Sequence, residues 1–440
     1  MNTMKRILTL ALGVLLVAAP FASAQLKGSA DQKKYVEAAQ IKSELPKYAV
    51  KAATWSKLGE AYFKSYTDVT GGIQIGQDEM NVNFLIQAKP VSTEMIDLGG
   101  VQTLKVIYST VNLYYQNGVV QGVEPTDWAY PDALYQAGEA FKKALELDPK
   151  KEKDIVVQFT QLNNRLNQLG ITWNLLGDQA KSSKAFEDAY KVSTLGPIDD
   201  DFDALYNAGM TAWLDKDYAR ARDLYLTAIA AGFDNKGEVY AKLGDIFNSL
   251  EDQASRKQYL EEGFAKYPEN QSILVGLINY ADQADEDPNY VLKLLEQAKI
   301  NDPNNASIYA VEGNMYAEMK QYDTAVERYH EAVAVDPNYV YAYYAEGSMW
   351  YNVAVDIQLA SDALPPTAWQ EFDRLDKEKM EALAKCIEPL EKCFNGTEDI
   401  NYKRAAAEIL RRVYYSLSNT NADYEAKSEF YKNFVDENPE

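Results

Sequence analysis

The sequence predicts an all-α protein, an α-solenoid of about eight stacked helix pairs that carries a small α+β insert in its first pair. Bulky and small side chains recur with the spacing of amphipathic helices, a glycine returns after about 34 residues, and Asp-Pro closes several units. Gly347 follows Gly313 by 34 residues, and Gly244 precedes Gly313 by 69, which is close to two periods. Because proline cannot continue a helix, each Asp-Pro marks the end of a pair.

The clearest unit places bulky residues around a glycine on a first helix, and a tyrosine between two alanines on a second helix. These residues are Tyr309, Glu312, Gly313, Tyr316, Ala325, Tyr329 and Ala332. The pattern resembles the tetratricopeptide (TPR) repeat, a helix–turn–helix of 34 residues. Six to seven imperfect matches cover most of residues 50–436. The resemblance implies stacked helix pairs whose first helices line a concave groove.

Two units are interrupted. The residues around Gly59 have the pattern of a first helix, but the matching second helix comes only before Pro149, so 66 residues are inserted. The partner of the helix around Gly347 is delayed by 27 residues, across Pro365-Pro366. The predicted segments are a signal peptide at 1–24, N-terminal helices with the first half of a split repeat at 25–64, the α+β insert at 65–130, TPR-like repeats at 131–340, a second split repeat with an inserted segment at 341–398, and a capping helix pair at 399–440.

The first insert changes from helical to strand periodicity. Alternating residues from Val111 to Tyr115, then Asn117-Gly118, then Val119 to Glu124 predict a β-hairpin, because both turn positions need positive φ. Leu104–Tyr108 is predicted as a third strand, and the residues from Gly76 to Pro90 as a short helical pair. This order is similar to the small BamE/SmpA-like envelope modules over about residues 70–125.

The first 24 residues have the pattern of a secretory signal peptide. Lys5 and Arg6 precede the apolar stretch Ile7–Ala19, and Ala22-Ser23-Ala24 is a small-residue cleavage site. We therefore expect cleavage after Ala24 and export to the periplasm, or association with the outer membrane. No cysteine follows the apolar stretch, so no lipid anchor is expected there. No later stretch approaches the ~20 consecutive apolar residues of a transmembrane segment.

The composition argues against several classes of function. The net charge of −22 opposes binding to nucleic acid. One histidine and two cysteines cannot build a zinc finger or a histidine-rich metal site. The sequence also lacks a glycine-rich phosphate loop and a nucleophile elbow. We therefore expect no metal, no cofactor, no catalytic residues and no enzyme activity.

Three features that suggest chemistry also have structural explanations. Cys386 and Cys393 stand seven residues apart at small positions of a second helix, about 10 Å along its axis, so buried free thiols are predicted rather than a disulfide. His330 is predicted to be a solvated surface residue that faces away from its partner helix. The acidic run Asp199–Asp203 is predicted to begin a helix, where carboxylates favour the free amides.

The candidate binding site is the groove that the first helices would form. Residues offset from the packing stripe of these helices are rich in Tyr, Trp and Asn, and rigid aromatic side chains give contact area at low entropic cost. They are Tyr206, Asn207, Met210, Trp213, Lys242, Asp245, Asn314, Glu318, Tyr341, Tyr344, Ser348 and Tyr351. The Lys, Arg and Asn set with which TPR chaperone adaptors hold a terminal carboxylate is not reproduced at these positions.

The sequence therefore predicts a non-enzymatic protein–protein interaction scaffold of the bacterial cell envelope, which binds a peptide or a helix of an envelope protein in the groove. The alternative is a glycan-binding protein similar to the SusD-like lipoproteins, which also carry TPR-like helices and stack sugars on surface Trp and Tyr. Those proteins are anchored through an N-terminal cysteine that this chain lacks. The sequence leaves the oligomeric state open.

Overall fold

The computed structural model of the protein describes residues 26–439, which form nineteen α-helices and one four-stranded sheet. Before the sheet lie α1 (Ser29–Glu44), α2 (Pro46–Ala49), α3 (Ala52–Thr70) and α4 (Glu79–Leu85). The strands are β1 (Ser92–Leu98), β2 (Val101–Ile107), β3 (Val111–Gln116) and β4 (Val119–Pro125). After the sheet come α5 (Ala133–Leu147), α6 (Glu152–Leu175), α7 (Gln179–Leu195), α8 (Phe202–Leu214), α9 (Tyr218–Ala230), α10 (Glu238–Ser249), α11 (Gln253–Lys266), α12 (Gln271–Gln283), α13 (Pro288–Asn301), α14 (Ala306–Glu318), α15 (Tyr322–Val335), α16 (Val340–Asp362), α17 (Trp369–Gly396), α18 (Ile400–Ser416) and α19 (Tyr424–Glu437).

The described residues fall into two compact units, each built from packed helix pairs. The first unit comprises residues 26–235 and 246–251, and the second comprises residues 236–245 and 252–439. The pairs of the first unit are α3/α5, α6/α7 and α8/α9, and those wholly within the second are α12/α13, α14/α15, α16/α17 and α18/α19. The eighth pair is α10/α11, and the unit boundary passes through α10. The predicted class of eight TPR-like helix pairs with a small sheet inserted in the first is confirmed.

In the first unit a glycine marks the close approach of each pair. A Cβ atom added to any of these glycines would come within 3.0 Å of an aromatic ring on the second helix, so only hydrogen fits. The contacts are Gly59 on α3 with Phe141, Gly170 on α6 with Phe186, and Gly209 on α8 with Tyr225. The split of the first repeat is therefore as predicted, because α3 packs on α5 across the insert.

The same approach recurs in the second unit. A Cβ on Gly244 would lie 2.6 Å from Leu260, and one on Gly313 would lie 2.6 Å from the Tyr329 ring. Gly347 on α16 meets Leu390 on α17 in the same way. The recurring glycines thus occupy equivalent positions, which confirms the repeat predicted from their spacing.

The two short turns between first and second helices of the first unit share one construction. In the first unit, Gly177 and Lys216 each have a positive φ, and the next residue is an aspartate that caps the following helix. Asp178 accepts a hydrogen bond from the Lys181 amide and Asp217 accepts one from the Arg220 amide, both at 3.1 Å. The left-handed residue ends one helix and the carboxylate satisfies a free amide of the next.

The insert is a β-meander in the order β1-β2-β3-β4, with all neighbours antiparallel. The hairpin at Asn117-Gly118 is confirmed, with φ of 50° and 76°. Two details of the prediction are wrong. The segment from Gly76 to Pro90 holds one helix, α4, rather than a helical pair, and a fourth strand, β1, follows it. Gly99 and Gly100, both with positive φ, turn β1 into β2.

Buried polar contacts attach the insert to α6. The Arg165 guanidinium donates to the carbonyl oxygens of Ile73 and Gly72 at 2.8 and 3.1 Å. The Val123 amide of β4 donates to the Thr172 hydroxyl at 3.0 Å. Because Arg165 is only 8% exposed, its donors are used inside the protein and fix the start of the insert against the second pair.

The second interruption lengthens two helices instead of forming a separate body. α16 has 23 residues and α17 has 28, against 13 and 14 in the neighbouring pair α14/α15. Pro365 and Pro366 lie in the short connection between them. The extra residues therefore extend both helices beyond the Gly347 contact.

The predicted signal peptide lies outside the described residues. Between residues 26 and 439, no helix is long and apolar enough to cross a membrane.

Candidate functional site

The twelve candidate residues lie on four first helices. Tyr206, Asn207, Met210 and Trp213 are on α8 in the first unit. The other eight belong to the second unit, two on α10, two on α14 and four on α16. They are therefore considered unit by unit.

The four candidates on α8 are all partly buried. The Tyr206 ring meets the Tyr225 ring of α9 edge-on, with 5.5 Å between ring centroids. Tyr225 is the same residue that covers Gly209, so Tyr206 is positioned by the packing of the pair. Each of the four residues therefore keeps part of its surface open to solvent.

The two candidates on α10 form a loose ion pair. Lys242 Nζ lies 3.9 Å from Asp245 Oδ2. The Asp245 side chain is 58% exposed, so solvent weakens the attraction between the two charges. This pair adds charge to the surface without creating an enclosed site.

On α14 and α16, Asn314 connects two tyrosines. Its Nδ2 donates to the Tyr341 hydroxyl at 2.9 Å, and its Oδ1 accepts from the Tyr329 hydroxyl at 2.8 Å. Tyr341 also contacts the Tyr339 ring, at 5.9 Å between centroids. Asn314 thus holds the Tyr341 ring in place, whereas Glu318, one turn further along α14, is exposed.

The remaining candidates on α16 continue towards α18. The Tyr344 ring meets the Tyr402 ring edge-on at 6.2 Å between centroids. A hydrogen bond with Tyr351, and then the charge of that residue, raise the pKa of Arg412. Ser348 lies between Tyr344 and Tyr351 along α16, and its buried hydroxyl has no hydrogen-bond partner among residues 26–439. We call Tyr341, Tyr344, Ser348, Tyr351, Tyr402 and Arg412 the α16–α18 surface.

Tyr402 and Arg412 were missed by the sequence analysis. The last helix pair keeps helical periodicity but lacks the glycine that marks the register of the others, and the long second interruption removes the 34-residue spacing. The face of α18 that continues the candidate surface could therefore not be assigned from the sequence.

His330 is exposed as predicted, but its surroundings are not solvent alone. Its Nε2 lies 3.1 Å from Glu346 Oε2 on α16, and Glu346 has only 11% of its side chain exposed. Burial raises the pKa of Glu346, while the charge of His330 opposes that rise. His330 therefore links α15 to α16, the first helix of the next pair, and the sequence did not predict this contact.

The two thiols are buried and unpaired, as predicted, among the residues described. Cys386 and Cys393 belong to the core that α16, α17 and α18 share, together with Leu390 and Leu410. Burial raises the pKa of the Cys386 thiol to about 12 and that of Cys393 to about 11. Both are therefore uncharged packing residues with little nucleophilic character.

The acidic run before α8 is a helix start, as predicted. Asp201 Oδ1 accepts from the Ala204 amide at 3.0 Å, and its Oδ2 accepts from the Asn163 and Asn167 side chains at 2.9 and 2.7 Å. The carboxylate is thus used in joining α6 to α8. In the part of the chain that the structure covers, no group of three or more His, Cys, Asp or Glu residues is placed to hold a metal ion.

The sequence of one segment matches a known family model. Residues 313–351, which cover the last part of α14, all of α15 and the first part of α16, match the model described as TPR repeat. No curated protein matches the sequence significantly.

Solved TPR structures resemble the chain at low identity. The C-terminal part of a TPR repeat-containing protein from Cytophaga hutchinsonii is 12% identical, covers 60% of this chain and 92% of its own, and gives a TM-score of 0.41. A tetratricopeptide repeat protein from Parabacteroides merdae is 12% identical, with 62% and 97% covered and a TM-score of 0.39. YrrB, described as a TPR protein with an unusual peptide-binding site, is 18% identical, with 47% and 96% covered and a TM-score of 0.31. At these TM-scores the likenesses carry no argument about function.

Proposed function

Because this chain carries TPR repeats, we propose that it is a non-enzymatic scaffold that binds a peptide or a helix of a protein partner on the first helices of its second unit. The TPR fold is that of a protein-interaction scaffold. The observation that carries the proposal is the α16–α18 surface, where three tyrosines of one helix line up and α18 adds a fourth.

The contacts within this surface favour binding. Asn314 holds Tyr341 by a hydrogen bond, and the Tyr402 ring packs against the Tyr344 ring. The rings of Tyr341 and Tyr344 are therefore ordered before any partner binds. Ordered aromatic side chains bury apolar area with little further loss of entropy, and they also offer a hydroxyl. Arg412 has 58% of its side chain exposed and lies 3.7 Å from Glu408, an acid that also pairs with Arg411 at 2.8 Å. Its exposed guanidinium therefore suits a carboxylate or a carbonyl of the partner. An extended peptide or a short helix fits such a row.

The cell envelope is the proposed location. It is supported by the sequence pattern of residues 1–24, which favours export and cleavage after Ala24. The proposed partner is therefore another protein of the periplasm or the outer membrane. Mass spectrometry of the N-terminus of the native protein tests this: Gln25 as the first residue supports export, and an intact N-terminus in a cytoplasmic fraction contradicts it.

Site-specific photo-crosslinking tests the binding surface. Tyr344 and Tyr351 are replaced, one at a time, by p-benzoylphenylalanine, which retains an aromatic ring, and the native cells are irradiated. The control position is Phe430, which is 56% exposed on the second helix α19. The proposal predicts one protein adduct shared by positions 344 and 351 and not formed at 430. The same adducts at all three positions, or none at the first two, would overturn it.

The glycan alternative makes a different prediction with the same residues. Half-buried tyrosines also stack on sugar rings, so the purified protein is applied to a glycan array with Tyr344→Ala as the control. Saccharide binding that this variant loses, without a protein adduct in the crosslinking experiment, favours the alternative.

A further inference from the structure

The two edges of the inserted sheet differ. Along β4, the edge is covered: the Val120 amide donates to the Gln77 carbonyl at 2.9 Å, and the Gly76 amide donates to the Val120 carbonyl at 2.8 Å. The Val123 amide is bound by Thr172. Along β1, no residue between 26 and 439 pairs with the outer edge, and five of its seven residues are exposed. The sheet therefore ends in an open strand.

The hydrogen-bond pattern shows which backbone groups of β1 face outward. Tyr108 N donates to Val111 O, so Tyr108 and every second residue before it on β2 bond to β3. The alternate residues of β2 bond to β1, and their partners there include Glu94 and Ile96. The amides and carbonyls of Thr93, Met95 and Asp97 consequently point away from the sheet.

This edge has little of the usual protection against pairing. The segment Ser92–Leu98 contains no Lys, Arg or Pro, and its register with β2 runs without a bulge. Its two charged residues are already engaged within the chain, Glu94 with Lys105 and Asp97 with the Gly100 amide. Natural proteins ordinarily block an exposed edge with one of these devices or cover it, because the free groups recruit another strand. An open strand of seven residues is thus a pairing site.

We propose that two copies of this chain associate through β1, antiparallel about a two-fold axis at Met95. The outward groups of Thr93, Met95 and Asp97 are symmetric about Met95, so each Met95 faces its equivalent and Thr93 of each copy faces Asp97 of the other. This register forms about six backbone hydrogen bonds and joins the two meanders into one eight-stranded sheet. The Thr93 hydroxyl then lies beside an Asp97 carboxylate that it can donate to.

The side chains on one face favour this register. Met95 lies opposite Leu104, and Leu104 lies opposite Tyr115, so the three share a face. Met95 is 60% exposed and Leu104 is 37% exposed, whereas Tyr115 is buried. Pairing about Met95 makes this row continuous through both copies and removes the apolar ends from water. A partner strand with a polar residue at the centre would not extend the row.

The charges are compatible with a second copy. On the opposite face, Lys105 Nζ lies 2.9 Å from Glu94 Oε1, so the acid nearest the axis is already paired. Asp97 accepts from the Gly100 amide at 2.9 Å. What remains is the long-range repulsion between two chains of net charge −22, which salt screens. Association through β1 is therefore expected to strengthen as ionic strength rises.

Sedimentation velocity with the purified protein tests the proposal over ~5 to ~500 µM, because an edge pair of this length forms a small interface and weak association is expected. Met95→Pro removes the central outward amide without removing a bond to β2, and Met95→Leu is the matched control. Met95→Lys, which places a charge in the row, is a second variant, and circular dichroism checks that each variant is folded.

We expect the wild type and Met95→Leu to dimerise, more strongly at 0.15 M than at 0.01 M salt, and both other variants to remain monomeric. A wild type that is monomeric at ~500 µM would overturn the proposal. Dimerisation that persists in Met95→Pro and Met95→Lys would also overturn it, since the two copies would then meet elsewhere. Neither outcome depends on the α16–α18 surface, so failure here is distinct from failure of the proposed function.

Discussion

Gly313 on α14 lies directly against the ring of Tyr329 on α15, close enough that a Cβ atom would sit 2.6 Å from Cε1. The ring cannot easily move aside, because Tyr329 is 1% exposed and its hydroxyl is bonded to Asn314. Asn314 in turn holds Tyr341 of the α16–α18 surface. The residue that sets the helix approach and the residues that order the candidate surface therefore belong to one connected group.

Gly313→Ala is expected to lower the thermal midpoint of unfolding. The added methyl group overpacks the contact with Tyr329, which lowers the free energy of unfolding by about 1–3 kcal/mol. The better helix propensity of alanine raises it by at most about 1 kcal/mol, so the net effect is destabilising. Circular dichroism melting measures it. Gly396→Ala is the control, because its Cβ would find only an ordinary contact with Val340 at 3.4 Å. Equal midpoints for the two variants would contradict the account of the repeat.

Arg165→Met is expected to loosen the insert from α6. It removes both donors to the Gly72 and Ile73 carbonyls, and each buried acceptor left unsatisfied costs about 1–3 kcal/mol. Hydrogen exchange should rise over residues 71–77. Arg222→Met, which removes only an ion pair with Asp223 beside it in sequence, should leave that segment unchanged. Unaltered exchange in Arg165→Met would show that other contacts hold the insert.

The two thiols are expected to be inert in the folded protein. With pKa values of about 12 for Cys386 and about 11 for Cys393, no more than about one thiol in a thousand is ionised at pH 8. Ellman's reagent should label neither thiol until denaturant is added, and then label both. Rapid labelling of the native protein would contradict the burial of α17 against α16 and α18.

Glu346 is expected to make the folded protein less stable as pH rises, whereas a carboxylate in a surface salt bridge makes it more stable. The pKa of Glu346 is raised by burial, so the folded state favours the protonated acid, and this contribution is lost as pH rises through the folded-state pKa. Relative to the wild type, Glu346→Gln should therefore gain stability as pH rises above the ordinary glutamate pKa of 4.5.

Glu388→Gln is the control for that pH series. A hydrogen bond from Lys392 lowers the pKa of Glu388, so its stabilising contribution is present above the ordinary pKa of 4.5 and is lost as pH falls. This variant should lose stability relative to the wild type as pH rises. Urea unfolding at each pH measures both, and parallel slopes would contradict the assignment of Glu346 as a buried acid.

The sequence predicted those parts of the fold that depend on local spacing. Gly59 and Phe141 could be paired across the insert because each sits at a fixed place in a repeat, and Asn117-Gly118 identified one hairpin. The second hairpin was missed although Gly99-Gly100 is itself a hairpin signal. The strand before it, β1, is exposed on both faces and so lacks the alternation that marks a half-buried strand.

The candidate surface could be predicted only in part. Tyr341 and Tyr344 follow from their offset to Gly347, since that offset is set within one helix. Tyr402 and Arg412 depend on how α18 rotates against α16, and that rotation is fixed by tertiary packing, not by a spacing in the sequence. The contact of His330 with Glu346 is between neighbouring pairs and was hidden for the same reason.

The central claim is that the α16–α18 surface binds a protein partner. The most direct measurement is the affinity of the partner recovered by crosslinking for the wild type, for Tyr344→Ala and for Phe430→Ala, measured by calorimetry. Loss of a central aromatic side chain typically costs about 2 kcal/mol, so the account predicts at least ~30-fold weaker binding for Tyr344→Ala and almost none of that loss for Phe430→Ala. Equal affinities for the wild type and Tyr344→Ala would contradict it.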